Sequence, residues 1–196
     1  MLDLEPAVRV LANVVNGVCD DQLAAPTPCT GMSVGALLDH VDGLSIAFSA
    51  AAAKQPLAGS QGPSPDASRL SADWRTRVPQ RLATLGQAWR DEAAWTGMTQ
   101  AGGLDLPGEV AGVVALDEIV VHGWDIAVAS GQDFTCDPHL VDAVYEFVRA
   151  SAAQHPQGTP GLFAAPVPVP ERAPLFDRLL GLAGRDPAWR PLPAHS

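Results

Sequence analysis

Lysine is almost missing from this 196-residue chain: Lys54 stands alone beside eleven arginines. Bases are scarce altogether, 12 against 22 acids for a formal charge of -10, and no basic cluster stands out. A surface of that sign repels phosphate backbones and anionic headgroups, which excludes nucleic acid and lipid as expected partners. Cysteine is sparse too. Cys19, Cys29 and Cys136 are an odd, widely spaced set without a C-x-x-C pair, so neither a disulfide framework nor a cysteine zinc site is expected, and the thiols read as free. No uninterrupted apolar run approaches the roughly 20 residues that span a bilayer, and the acidic start MLDLEPAVRV lacks the basic region of a signal peptide. The sequence therefore predicts a soluble, cytoplasmic protein. It carries no G-x-S-x-G elbow, P-loop, dinucleotide fingerprint or H-E-x-x-H, which removes support for serine hydrolase, nucleotide-binding and zincin chemistry.

What is present is apolar and helical. Hydrophobic residues make up 47% of the chain and charged ones 17%, the balance of a folded unit of about one domain. Stripes at helical spacing predict helices over 4–18, 34–53, 71–94, 109–130 and 137–153, with a short last one over 175–183. Ser33 and Asp137 offer N-caps, Pro138 a first helical position, and Gly131 a C-cap; Pro79 should kink the third helix or mark its start. Trp74, Trp89 and Trp124 read as core. The segment 54–68 (KQPLAGSQGPSPDAS) is a surface connection, long for its kind, as needed when consecutive helices of a bundle point the same way. Residues 96–108 read as a loop with a short extended piece, and the chain from about 156 as a Pro-rich extension.

The fourth helix, EVAGVVALDEIVVHGWDIAVAS, is apolar around nearly its whole circumference and must be largely buried. At about 100° per residue, Glu118, His122 and Asp125 fall within about 60° of one another in a single polar stripe, while Glu109 and Asp117 lie off it. A buried carboxylate and imidazole need partners. Glu and His at i and i+4 can share one cation, and His40, at the edge of the core stripe of the second helix, is the best third donor, since His139, His155 and His195 lie in or near loops or the tail. Two His and one carboxylate leave positions open for water or substrate; zinc leads, with nickel or iron also suited. Asp125 reads as a second-layer group orienting a ligand, or as the partner of an arginine. The same stripe is also satisfied by a His–carboxylate hydrogen bond or a buried salt-bridge network without metal. Cys29 has no basic neighbour in sequence to activate it.

Several segments together resemble the actinobacterial DinB-like metal-binding proteins related to mycothiol-dependent maleylpyruvate isomerase. They are Pro26-Thr27-Pro28-Cys29, Leu37-Leu38-Asp39-His40, the run from Leu116 to Ala127 with its H-G-W-D block, Val167-Pro168-Val169-Pro170, Leu179-Leu180, and Gly184-Arg185-Asp186-Pro187. The resemblance implies an all-α, four-helix bundle with a long crossover and extra C-terminal helices, in a single unit over 1–196. It implies a divalent metal on His40, Glu118 and His122, with mycothiol as a cosubstrate. Where the family turn before the second helix carries a tryptophan, this chain has Met32. The isomerases also have an additional C-terminal domain that helps form their active site, where this chain has a short Pro-rich tail.

Two functions follow. One is a metal-dependent enzyme that transfers a small thiol to an electrophile or uses it to isomerise an unsaturated acid, with Arg75, Arg77, Arg81 or Arg90 available to neutralise a carboxylate. The other is a non-catalytic metal or small-molecule binding protein. A homodimer is plausible for a small bundle with an apolar fifth helix.

Overall fold

A computed structural model describes residues 1–55, 65–159 and 161–191. His195 and the middle of the 54–68 connection lie outside the described residues. The chain is mostly helical. Helix α1 (Glu5–Gly17) buries Ala7, Val8, Leu11, Val14 and Val15. Helix α2 (Val34–Ala52) starts at Ser33, whose hydroxyl accepts from the Ala36 N–H at 3.2 Å. Helix α3 runs over Trp74–Ala88, α4 over Gly108–Ala129, α5 over Pro138–Gln154 and α6 over Leu175–Leu182. Trp74, Trp89 and Trp124 are all buried, as the apolar stripes require.

Contacts fix the helix directions. Arg77 and Arg81, early in α3, reach Asp42 in the middle of α2, and Lys54, just past the end of α2, donates to the carbonyl of Ala94 beyond α3. Helices α2 and α3 are therefore parallel, so the end of α2 and the start of α3 lie a helix length apart, roughly 28 Å, and a long connection is needed between them. Arg75 of α3 reaches Asp20 and the Val18 carbonyl after α1, while Gly86 faces Glu5 and Val8, so α1 and α3 are antiparallel. Helix α4 packs on both α1 and α2, which closes the ring α1–α3–α2–α4 around one core.

Two elements differ from the sequence reading. The third helix stops at Ala88, not 94: Pro79 sits inside it, and the apolar stripe continues past Trp89 into a separate 3-10 turn, Glu92–Trp95, capped by Asp91. The chain is not all-α either. Met98–Ala101 (β1) and Leu104–Pro107 (β2) form an antiparallel hairpin packed on α2 and α4. Its two-residue turn is Gly102-Gly103, with φ of 59° and 80°, the left-handed pair that a tight hairpin turn demands.

Helix α4 has 17 of its 22 residues buried, more than a ring of four helices covers, and α5 accordingly packs on it from outside. Among the described residues α2 is the one helix long and apolar enough to cross a membrane. Here it is a core helix, with Leu37, Leu38, Val41 and Phe48 buried and Asp42 in ion pairs.

Candidate metal centre

The antiparallel pair α2 and α4 brings the predicted donors together. One turn apart on α4, Glu118 Oε2 lies 2.9 Å from His122 Nε2, and across the interface it lies 3.7 Å from His40 Nε2. One donor atom from each of the three residues falls within 4.8 Å of the others. Ligands held about 2.0–2.2 Å from a tetrahedral ion sit roughly 3.2–3.6 Å apart, so the two short separations straddle the spacing one cation needs. Two imidazoles and a carboxylate suit zinc, nickel or iron, and fewer protein donors than a closed site requires leave room for another ligand. His40 retains 24% side-chain exposure against 9% for His122, so the open side of the cluster is His40's. On its inner side Glu118 meets a narrow apolar cavity lined by Leu11, Val41, Phe48, Leu82 and Ile119, with space for about one water.

Behind His122 the cluster continues inward. Its Nδ1 lies 3.0 Å from Asp125 Oδ2, and the same oxygen accepts from Arg185 Nη2 at 3.0 Å. Asp125 is wholly buried and Arg185 nearly so. Of the two roles open to Asp125, orienting a ligand and pairing with an arginine, it fills both. Burial works against ionisation throughout, yet hydrogen bonds to Asp125 and Glu118 push His122 up to about 10. Burial likewise opposes a charged Glu118, but hydrogen bonds from His122 and His40 hold it well below the usual carboxylate range.

Asp117 points off this stripe and is buried, and its Oδ1 has no hydrogen-bond partner among the described residues. Desolvation, reinforced by the charge of Glu118, raises its pKa well above the ordinary carboxylate value. Its neighbours on an apolar helix were the signal that it too is buried. Arg185 was missed as a site residue, because nothing near it in sequence points to a partner sixty positions away.

The four arginines offered for a substrate carboxylate are engaged elsewhere: Arg75 with Asp20, Arg77 and Arg81 with Asp42, and Arg90 with Asp3. His139 is exposed at the start of α5, and His155 is exposed at its end. Cys29 comes close to the centre, its sulfur grouped with donor atoms of His122 and Asp125 within 4.8 Å. Burial raises its pKa despite the nearby Arg185, the opposite of the shift that activates a thiol as a nucleophile. Met32 is half-buried, packed on the core in the turn before α2.

Residues 4–127 match the family described as the mycothiol maleylpyruvate isomerase N-terminal domain. Uncharacterised proteins from two strains of Mycobacterium tuberculosis, CDC 1551 / Oshkosh and ATCC 25618 / H37Rv, are each 32% identical over 187 residues, covering 91% of this chain and 93% of theirs. Among solved structures, a crystal structure of the mycothiol-dependent maleylpyruvate isomerase superposes with a TM-score of 0.60 at 15% identity, over 77% of this chain and 69% of that one. A histidine-to-alanine mutant of that isomerase gives 0.61 over the same shares at the same identity. At such identity the likeness establishes a common fold.

Proposed function

Because this chain belongs to the mycothiol maleylpyruvate isomerase N-terminal domain family, we propose that it is a divalent-metal protein that activates a small thiol for attack on an electrophile. The observation that carries this is the convergence of His40, Glu118 and His122 from two helices, with donor atoms within 4.8 Å and one side open. A cation held there lowers the pKa of a thiol that reaches it and favours the thiolate, the stronger nucleophile. Around it, Asp125 fixes the His122 ring from behind, and Glu118 supplies the negative charge that offsets the cation. Zinc is the first choice for this donor set, nickel or iron the next.

The name of the structural neighbour points to mycothiol as the thiol and to thiol-assisted isomerisation as the reaction; thiol transfer to an electrophile is the other reaction a metal-activated thiolate would perform. The architecture fits the DinB-like four-helix bundle with a long crossover, α5 and α6 being additions after it. We place the protein in the cytoplasm, where small thiols are kept reduced.

The test uses untagged, zinc-loaded protein with a small thiol and follows two readouts, loss of thiol against a panel of small electrophiles and thiol-dependent isomerisation of small unsaturated acids, for wild type and His122→Ala. Thiol-dependent turnover by the wild type in either readout that falls at least about 100-fold in the variant supports the enzyme. A metal-loaded wild type with no turnover in either readout moves the protein to a non-catalytic metal binder.

A further inference from the structure

The family match ends at residue 127, and every candidate ligand lies inside it. One polar contact to the centre does not. Arg185 lies sixty positions beyond Asp125, donates to its Oδ2 from Nη2 at 3.0 Å, and has Nε 3.4 Å from Oδ1, a two-point grip on a wholly buried carboxylate.

The local sequence explains how a residue so far along arrives there. Helix α6 ends at Leu182, and Gly184 follows with φ +78°, in the left-handed region that a side chain resists. The Gly184 N–H donates to the Gly181 carbonyl at 3.0 Å and the Arg185 N–H to the Leu180 carbonyl at 2.8 Å, the paired bonds of a Schellman turn. That turn reverses the chain at the helix end and throws the side chain of Arg185 back, where Nη1 also caps the Ala183 carbonyl at 2.9 Å. A Cβ on Gly184 would come 2.7 Å from the Cβ of Ala164, and one on Gly181 2.8 Å from the Val167 carbonyl, so both glycines are needed for α6 to press against the Pro-rich segment. The Val167 N–H to Gly181 carbonyl bond, 2.8 Å, ties the two together.

We propose that Arg185 is a positioning residue of the centre: by gripping Asp125 it fixes the ring of His122, so the C-terminal segment completes a site whose donors all lie within residues 4–127. This rests on the metal reading above. His122 uses one ring nitrogen toward Glu118 and the other toward Asp125, so its orientation is set by whatever holds Asp125. An aspartate with one oxygen shared between an imidazole and a guanidinium has little freedom to turn, and a planar fork restrains it better than an ammonium.

The test is Co2+ titration of the full, untagged chain, reading affinity and the visible d–d spectrum, for wild type, Arg185→Met, Arg185→Lys, Asp125→Asn and Arg185→Met/Asp125→Asn. Asp125→Asn should weaken binding about 10–100-fold and Arg185→Met about tenfold, each with an altered spectrum. In the Asp125→Asn background Arg185→Met should add less than about twofold, because Arg185 acts only through Asp125. Arg185→Lys, which keeps the charge in the buried site, should fall between wild type and Arg185→Met, and it carries the comparison if Arg185→Met fails to fold. Wild-type affinity and spectrum in Arg185→Met, or in Arg185→Lys where that stands in, would overturn the inference, as would two effects that simply multiply. A wild-type chain that takes up no Co2+ overturns the metal reading itself, and this inference with it.

Discussion

Helix α2 carries a buried polar cluster on each flank, and the two are built from different bases. Toward α3, Asp42 accepts from Arg77 Nη2 at 2.9 Å and Arg81 Nη1 at 2.6 Å. Toward α4, two positions earlier on α2 and so on the other side, His40 meets Glu118 and His122. Both clusters meet the demand that buried charge be paired. They differ in what remains to offer. A guanidinium is always protonated and has no lone pair, so the α3 side can only bind its own carboxylate. An imidazole can give up its proton and present a lone pair, so the α4 side can exchange a proton for a cation. Similar burial thus yields a fixed strut on one flank and an exchangeable site on the other.

The largest expected effect breaks that contrast by swapping which flank is damaged. Asp42→Ala takes from Arg77 and Arg81 the carboxylate they share, although Arg77 keeps Asp73 at 3.5 Å, and should cost about 1–2 kcal/mol in urea unfolding, with Zn2+ affinity changed less than about twofold. His122→Ala should do the reverse, lowering Zn2+ affinity about 100-fold or more for a smaller loss of stability in metal-free protein. If Asp42→Ala weakened metal binding as much as His122→Ala, the two flanks would not be separate.

Proton exchange sharpens the contrast next. In the metal-free chain His122 is raised to about 10, so at pH 8 it holds a proton that a cation must displace. Loading Zn2+ at pH 8 should therefore release about one proton per chain from this ring, read by calorimetry in buffers of differing ionisation enthalpy. The sign for stability follows. A folded pKa above the ordinary 6.5 means the contribution of His122 is complete below about 6.5 and is lost as pH rises toward 10. Metal-free protein should thus lose stability over that range, while Glu118, held low, gives its stability back only in strong acid. No proton release on loading would place the ion elsewhere.

The smallest effect concerns Asp117, which belongs to neither cluster. Its raised pKa means that it favours folding less as pH rises past the ordinary carboxylate value, because the unfolded chain ionises first. Asp117→Asn keeps the shape without that cost and should raise Tm by a few degrees, about 2–4 °C, at pH 7 and by less at pH 4. A lower Tm at pH 7 would mean that the carboxyl has a partner worth keeping.

The parts of this site that were legible in sequence are those set by a single helix. Glu118, His122 and Asp125 stand out because α4 is apolar elsewhere and the spacing puts them on one stripe; their mutual contacts follow from helix geometry alone. His40 needed the packing of a second helix, which periodicity could only suggest from its place at the edge of a stripe. Arg185 depends on a turn at the end of α6 and on a docked segment, neither of which leaves a mark near Asp125. Elsewhere the Gly102-Gly103 pair was a readable hairpin signal that the surrounding loop composition hid, and the stripe through Trp89 ran on into a 3-10 turn that apolar spacing cannot tell from helix. The long connection before α3 was read from its length and composition, and the parallel α2 and α3 supply its reason.

Elemental analysis of the untagged protein, supplied with Zn2+ and then passed through a desalting column, tests the centre most directly. The account predicts about one zinc per chain in the wild type and near none in His40→Ala and in His122→Ala. Zinc at the level of the buffer in all three, or equal zinc in all three, would contradict it.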